Sequence, residues 1–333
     1  MGNFDEKNLI KMRYFTMILA IFWVIFGSFF VVNQTDKEQN QSTQYACTFS
    51  KDCTNFDELK EQNIANGVQV HCHKVATNGV KNPQNKSNIL GKVTILMYHN
   101  LMPNGYPSGK YCVTTAQLES DFDYLQTHGY NVISFAYLYE CIVEKKSLPD
   151  KAVLLTFDDG YLTNVTLGLP LLKKYNYTAL LSVVGEFCKY GKSNPDIKRG
   201  YEYLEWEDVA KYADEKHIEW GIHSYNMHHL KPRKGVSKKY GEDEQTYRQI
   251  FRKDTTKMLQ NFEKLGVKPI VYAYPYGLFS QECEEILSEL NIPFTLTCGE
   301  SRCTIKADRL PRLLGRFNRS GLESLEGILA RAK

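Results

Sequence analysis

Between residues 93 and 330 the chain alternates short apolar runs with longer segments whose apolar residues recur at helical spacing. This pattern predicts strands over residues 93–98, 131–135, 152–157, 178–184, 218–222, 269–274 and 293–297. It predicts helices over residues 114–128, 136–144, 169–175, 205–213, 243–265 and 281–290. Strands that alternate with helices pair in parallel through right-handed crossovers. About seven such units favour an α/β barrel over an open sheet, and such a barrel carries its functional residues at the C-terminal strand ends.

The most informative strand is the apolar run over residues 152–157, which ends at Asp158, Asp159 and Gly160. A continuous apolar run predicts a strand that is buried on both faces. Two adjacent carboxylates at the edge of an apolar core repel each other and lose solvation unless they share a cation. A metal ion therefore explains the pair, and an ordinary Asp-Asp-Gly turn that leaves the strand is the alternative.

The N-terminal region has a different pattern. Residues 14–32 are apolar, aromatic or small without a charge, and Lys7, Lys11 and Arg13 precede them. This length is typical of a membrane-spanning signal anchor, and a buried core helix is the alternative. The basic flank predicts that residues 1–13 are cytoplasmic, so the rest of a single-pass cell-membrane protein would lie outside the cell.

The segment after this anchor is rich in Asn, Gln, Ser, Thr and Lys and shows little apolar periodicity. Residues 33–92 are therefore predicted to form an extracytoplasmic stalk or linker. This stalk would hold the domain over residues 93–333 away from the membrane. The chain has 41 basic and 38 acidic residues and a net charge of +3, which does not suggest a nucleic-acid partner.

Nine cysteines allow disulfide bonds in a domain that faces an oxidising environment. The short separations of Cys47 from Cys53 and of Cys298 from Cys303 make these two pairs candidates. The odd count leaves at least one thiol unpaired within the chain. The His-Cys-His run at residues 71–73 suggests a metal site with Cys47 and Cys53, but its spacing fits no established zinc pattern.

Four of the predicted strands end in residues that suit a catalytic or metal site. One ends at His99, one at the two aspartates, one at His223 and one at residues 275–277. His228 follows His223 by five residues, and a loop that leaves a strand can bring both imidazoles to one ion. Either histidine alone is more often a surface or core residue. With Asp159 they form a two-histidine, one-carboxylate set that suits Zn, Fe, Co or Ni.

Three short motifs follow one another along the chain. They are Thr-Phe-Asp-Asp-Gly at residues 156–160, His-Ser-x-x-x-His at 223–228 and Tyr-Pro-Tyr-Gly at 274–277. Together they resemble the motifs of the polysaccharide deacetylases, the NodB-homology domain of carbohydrate esterase family 4. The resemblance covers residues 93–330 and implies a distorted (β/α)7 barrel of the NodB-homology type. The histidine spacing and the Met-Tyr-His run at 97–99 resemble the branch that contains poly-N-acetylglucosamine deacetylases.

Carried over residue by residue, the resemblance implies a role for each residue of the predicted site. Asp159, His223 and His228 would bind one divalent metal ion, with zinc expected first and cobalt, nickel or iron as alternatives. Asp158 would be the general base that takes a proton from the attacking water. His99 would be the general acid that protonates the departing sugar amine.

The backbone N–H of Tyr276 would stabilise the oxyanion of the reaction. The chain also departs from the family pattern at two places. Most members carry an arginine three residues before the motif tyrosine, where it holds the base, and this chain has Ala273 there. The late Leu-x-x-x-His motif, which usually supplies the acid, is replaced by Leu-Pro-Arg-Leu-Leu at residues 310–314. Arg312 is predicted to replace the missing arginine beside Asp158, and a surface or core-lining arginine is the alternative.

These features predict a membrane-anchored, metal-dependent deacetylase of an extracellular N-acetylglucosamine polysaccharide, either poly-N-acetylglucosamine or peptidoglycan, with release of acetate. A glycosidase that uses Asp158 and Asp159 is disfavoured, because adjacent residues can hardly place carboxylates on opposite sides of a glycosidic bond. A non-catalytic, deacetylase-like module that binds glycan or a partner is the remaining alternative. The basic residues 231–239 could flank a glycan groove or form a solvated loop.

Overall fold

A computed structural model describes residues 88–192 and 198–332 of the protein. The predicted anchor over residues 14–32, the first three cysteines and nearly all of the predicted stalk lie outside the described residues. Within the described ranges, no helix is both long enough and apolar enough to cross a membrane. The predicted domain boundaries and cellular location therefore stay predictions.

The described residues form strands and helices that alternate along most of the chain. The strands are β1 Ile89–Tyr98, β2 Asn100–Met102, β3 Cys112–Thr114, β4 Asn131–Val132, β5 Ala152–Phe157, β6 Ala179–Val183, β7 Ile218–Ile222, β8 Val271–Ala273, β9 Phe294–Leu296, β10 Cys303–Lys306 and β11 Phe317–Asn318. The α-helices are α1 Thr115–Thr127, α2 Phe135–Val143, α3 Leu169–Tyr175, α4 Trp206–Lys211, α5 Glu244–Glu263, α6 Gln281–Glu289 and α7 Leu325–Arg331. Short 3₁₀ turns occupy Phe187–Lys189 and Pro275–Gly277.

Most strands belong to one sheet with the order β10-β1-β5-β6-β7-β8-β9. Neighbours from β1 to β9 are parallel, whereas β10 runs antiparallel to the first half of β1. The second half of the same β1 edge pairs with β11, where Leu96 lies opposite Phe317. Leu314, just before β11, forms a parallel bridge with Leu296 of β9. The segment over residues 314–318 therefore contacts both ends of the parallel path, and the sheet curls towards itself.

The predicted α/β class is confirmed, and in place of the predicted (β/α)7 barrel the described residues form a curled, mostly parallel sheet. One predicted strand has a different place. Residues 131–135 contribute only the two-residue β4, which pairs with the first half of β5, while β6 pairs with the second half. The sequence pattern does not predict β2, β3, β10, β11 or α7. These four strands have two to four residues each, which is too short for an apolar pattern to stand out.

The hydrophobic core lies between the curled sheet and the helices that cover it. Every residue of β5 is buried, as its continuous apolar run predicts. On α5 the apolar residues at helical spacing, among them Phe251, Met258 and Phe262, are also buried. Helix α1 begins with a capping box in which Thr114 and Gln117 satisfy each other's backbone N–H groups. This framework holds the strand ends at fixed positions along one rim.

The candidate disulfide between Cys298 and Cys303 does not form in the structure, where both residues are free thiols. The Cys303 sulfur lies 3.5 Å from the carbonyl oxygen of Gly315. The Cys298 sulfur instead lies 3.8 Å from the sulfur of Met97 in β1. Each thiol therefore packs against a different neighbour, although only a few residues separate them. The other predicted pair lies outside the described residues.

Candidate active site

The predicted site residues lie where parallel strands end. His99 follows β1, Asp158 and Asp159 follow β5, and His223 follows β7. Adjacent parallel strands bring these ends together, and Tyr98 of β1 lies directly opposite Phe157 of β5. The C-terminal rim of the sheet therefore gathers residues that are far apart in the chain, as the sequence pattern predicts.

Asp159, His223 and His228 form a compact group that could hold a metal ion. Their ligand atoms all lie within 4.8 Å of one another. Asp159 Oδ1 is 3.2 Å from His228 Nε2 and 3.5 Å from His223 Nε2. The Asp159 backbone has a φ of 70°, in the left-handed region that non-glycine residues seldom occupy. This turn separates the Asp159 side chain from that of Asp158, although the two residues are adjacent.

Hydrogen bonds on the far side of each imidazole support this group as a metal centre. His223 Nδ1 lies 2.7 Å from the carbonyl oxygen of Ala273. A carbonyl oxygen only accepts, so we assign the proton to Nδ1 and the lone pair to Nε2, which faces the other ligands. His228 Nδ1 lies 3.2 Å from the Tyr276 hydroxyl. Two oriented imidazoles and a carboxylate fit a divalent ion such as zinc.

Asp254 of α5 holds the loop that connects the two histidines. Its partly buried carboxylate accepts hydrogen bonds from the backbone N–H groups of Tyr225 and Asn226, both at 2.7 Å. These are consecutive residues between His223 and His228. The carboxylate therefore restrains the loop at its middle, and the distance between the two imidazoles depends on a helix that lies outside the predicted motifs.

We expect Asp254→Asn to weaken zinc binding by about 10-fold, the lower end of the effect seen when a group that supports metal ligands is lost. The amide keeps one oxygen, but its NH2 group cannot accept the second backbone N–H. Competition with a fluorescent zinc chelator measures the affinity. Glu263→Gln, an acid-to-amide change at an exposed position of the same helix, is the matched control. Equal zinc affinities in the two variants would contradict this role.

Asp158 lies beside the metal group but has a different partner. Its two carboxylate oxygens accept hydrogen bonds of 2.8 and 2.7 Å from the guanidinium of Arg316, and both side chains are buried. Burial would raise the pKa of the Asp158 carboxyl, but the charge and hydrogen bonds of the Arg316 guanidinium hold this pKa well below its usual range. Asp158 is therefore ionised at neutral pH and available to accept a proton.

The prediction that Arg312 holds Asp158 is wrong. Arg312 Nε donates to the Glu284 carboxylate at 2.5 Å, and its other nitrogens donate to the backbone carbonyls of Ile292 and Glu284. These groups lie on α6 and just before β9, so Arg312 fastens that part of the chain. The arginine that pairs with Asp158 is Arg316, four residues later.

Arg316 reaches Asp158 because the segment over residues 314–318 runs between β9 and β1. Its Nε also donates to the Thr297 carbonyl at 3.0 Å, so the guanidinium is held on more than one side. The chain offered one signal for this role, an arginine inside the otherwise apolar and glycine run over residues 313–317. A buried arginine at such a position requires a carboxylate partner.

His99 and Tyr276 both lie at the rim of the metal group. The His99 ring packs edge-on against Tyr111 at 4.8 Å, and its Nδ1 is buried without a hydrogen-bond partner among the described residues. Burial lowers the pKa of the His99 imidazole, while the carboxylates of Asp159 and Asp158 oppose this shift. Tyr276 has a left-handed backbone with a φ of 59°, and its ring lies 4.6 Å from that of His228.

The basic residues 231–239 are partly neutralised by acidic neighbours. Arg233 donates two hydrogen bonds to the carboxylate of Glu242. Lys238 pairs with Glu282 at the start of α6, at 2.5 Å. These pairs favour a solvated loop over a groove wall that would attract acidic polymers.

Comparison with known protein families gives a match over the middle of the chain. Residues 145–295 match the family model described as Polysaccharide deacetylase. This range includes Asp158 and the three candidate metal ligands. His99 and Arg316 lie outside it, on the two sides.

Comparison with individual proteins gives relatives whose sequences are only distantly similar to this chain. The chain is 28% identical over 278 residues to the poly-beta-1,6-N-acetyl-D-glucosamine N-deacetylase of Escherichia coli strain K12. That match covers 74% of this chain but only 41% of the E. coli protein. The protein of the same name from Staphylococcus aureus strain MRSA252 is 26% identical over 209 residues, covering 61% of this chain and 68% of the relative.

Solved structures resemble this fold as well. The de-N-acetylase from Aggregatibacter actinomycetemcomitans superposes with a TM-score of 0.58 at 23% identity. The superposition covers 71% of this chain and 99% of that structure. At this level of identity the similarity concerns the fold.

Proposed function

We propose that this chain, which carries a polysaccharide deacetylase domain, hydrolyses the N-acetyl groups of an N-acetylglucosamine polysaccharide and releases acetate. The observation that carries the proposal is the different environment of two adjacent carboxylates. Asp159 joins the two histidines, whereas Asp158 is held ionised by Arg316 outside that group. Amide hydrolysis needs this division, because a carboxylate engaged as a ligand is a poor base.

The reaction assigns one task to each residue of the rim. Asp159, His223 and His228 would hold a divalent ion, and zinc suits the donor set. When bound, such an ion polarises the acetyl carbonyl and lowers the pKa of water. Asp158 takes the proton from the attacking water. Arg316 keeps the Asp158 oxygens in a fixed plane and neutralises their charge within the core.

Two further residues complete the proposed mechanism. His99 donates a proton to the sugar nitrogen as the carbon–nitrogen bond breaks, and the two nearby carboxylates partly oppose the lowering of its pKa by burial. The Tyr276 backbone N–H donates to the oxyanion. The left-handed backbone at Tyr276 turns this part of the chain sharply just before Gly277.

The relatives support poly-N-acetylglucosamine as the substrate over peptidoglycan, because the E. coli and S. aureus proteins carry that polymer in their names. The apolar run over residues 14–32 supports attachment to the cell membrane, with the domain on the outer side. Both statements belong to the proposal.

Acetate release by the full-length chain tests this function directly. The substrates are β-1,6-linked N-acetylglucosamine oligomers, chitin oligomers and peptidoglycan, each with metal, with a chelator and after zinc is restored. We expect release from the β-1,6-linked oligomers that the chelator abolishes and zinc restores. Zinc binding without release from any substrate would instead indicate a non-catalytic binding module.

A further inference from the structure

A row of aromatic rings leads from the metal group towards solvent. It begins at the His228 imidazole, whose centre lies 5.4 Å from the ring centre of Phe187. Phe187 is 4.5 Å from Tyr203, and Tyr203 stacks on Tyr161 at 4.9 Å. The last member, Tyr201, lies 6.4 Å from Tyr161 and is 42% exposed. We call Phe187, Tyr203, Tyr161 and Tyr201 the aromatic row.

Backbone hydrogen bonds hold the aromatic row next to the C-terminal end of β5. Tyr161 and Tyr203 form an antiparallel bridge, and the neighbouring Leu204 N–H donates to the Gly160 carbonyl at 2.8 Å. Gly160 itself has a φ of 74°, and a Cβ there would approach the Val183 side chain to 2.8 Å. The residues that follow Asp159 are thus turned sharply and paired with the segment that carries Tyr201 and Tyr203.

The segment before Tyr201 is also held by β2. The side-chain amide of Asn100 donates to the Gly200 carbonyl at 2.8 Å. A Cβ on Gly200 would lie 3.1 Å from the sulfur of Met102, so the backbone packs closely there. The outer end of the aromatic row is therefore fixed in position before a ligand binds, which reduces the entropy lost on binding.

Burial distinguishes the aromatic row from ordinary core. Core rings such as Phe157 and Phe251 are fully buried. Phe187, Tyr161 and Tyr203 are only partly buried, although each touches another ring. Half-buried, rigid aromatic rings beside a polar site are typical of ligand-binding surfaces.

A hexosamine is the class of ligand that fits such a surface. The pyranose ring of glucosamine carries its polar groups at the edge and presents apolar C–H faces, which pack on aromatic rings. Tyrosines combine an apolar face with a hydroxyl that can bond to sugar hydroxyls. The row starts at a metal ligand, so a sugar on its outer part would be a neighbour of the sugar that loses its acetyl group.

We propose that the aromatic row is a subsite for the sugar residue adjacent to the one that is deacetylated, with Tyr201 as its outermost contact. This inference rests on the proposed function for the identity of the ligand. Such a subsite makes the enzyme prefer oligomers over isolated N-acetylglucosamine, because part of the binding energy comes from the neighbouring sugar.

Tyr201→Ala tests the subsite, with Tyr201→Phe to retain the ring and Tyr240→Ala as a control at another exposed tyrosine. Binding of a β-1,6-linked N-acetylglucosamine pentamer is measured by calorimetry on zinc-loaded, full-length protein that also carries Asp158→Asn. We expect Tyr201→Ala to weaken pentamer binding about 5-fold, the effect of one aromatic contact. Tyr201→Phe should lose less than 2-fold by the same estimate, and Tyr240→Ala nothing.

Hydrolysis of a small aryl acetate by the same variants without Asp158→Asn separates a subsite from a structural role. This substrate reaches the metal group but not Tyr201, so its rate should be unchanged in Tyr201→Ala. Equal losses on the small ester and the pentamer would overturn the subsite, as would unchanged pentamer affinity or absent pentamer binding. Pentamer binding that depends on Tyr201, without acetate release by the wild type, would uphold the subsite and refute the proposed activity.

Discussion

Asp158→Asn is expected to reduce acetate release by roughly 10²–10⁴-fold, the range of a lost general base. The asparagine side chain has nearly the same shape and can still accept from Arg316, but it cannot take a proton from water. Zinc affinity should remain close to that of the wild type, because Asp158 is bound to Arg316 and not to the histidines. Steady-state acetate release and a zinc titration on the same protein provide the two measurements.

Asp159→Asn is the matched control, since it makes the same chemical change one residue further along the chain. Asp159 Oδ1 lies close to both histidines, so this variant should lose zinc affinity as well as activity. If Asp158→Asn weakened zinc binding as much as Asp159→Asn, the two carboxylates would share the ion. The separate roles proposed for them would then be wrong.

Arg316→Met is expected to lower the free energy of unfolding by about 3–5 kcal/mol, the effect of removing one partner of a buried ion pair. The Asp158 carboxylate would be left in the core without its guanidinium partner. For a domain of this size the loss corresponds to a fall of roughly 6–20 °C in the melting temperature. Thermal unfolding at pH 7, followed by circular dichroism, measures it.

Arg312→Met supplies the control, because it removes an arginine from the same stretch of chain. The Arg312–Glu284 pair is partly exposed, so we expect a loss of about 1 kcal/mol. A larger loss for Arg312→Met than for Arg316→Met would contradict the assignment. The folded-state pKa of Asp158 lies below its ordinary value, so the Arg316 pair contributes fully above about pH 4. That contribution is lost only in stronger acid.

The position of Arg316 also explains how the chain tolerates Ala273. An alanine at the end of β8 cannot pair with Asp158, but the segment over residues 314–318 enters between β9 and β1 and supplies a guanidinium from another direction. The same segment makes the last parallel contact of the curled sheet. Closing the sheet and orienting the Asp158 carboxylate are therefore linked in this protein.

Sequence patterns were sufficient for the features that depend on local order along the chain. The strand that becomes β5 is predicted with its observed bounds, because six consecutive buried residues are all apolar or small enough for a two-sided core. The three candidate metal ligands are predicted because each comes directly after a strand or in the loop that follows it. Parallel pairing then brings these strand ends to one rim of the sheet.

Contacts between segments that are distant in the chain could not be predicted from sequence patterns. Arg312 and Arg316 lie four residues apart, and the apolar run around Arg316 indicates burial without showing which arginine reaches Asp158. That choice depends on how β11 pairs with β1. Asp254 likewise occupies an ordinary helical position. Its contact with the loop between His223 and His228 follows only from the packing of α5 against that loop. Periodicity records which side of an element is buried, whereas the partner of a buried charge is set by three-dimensional packing.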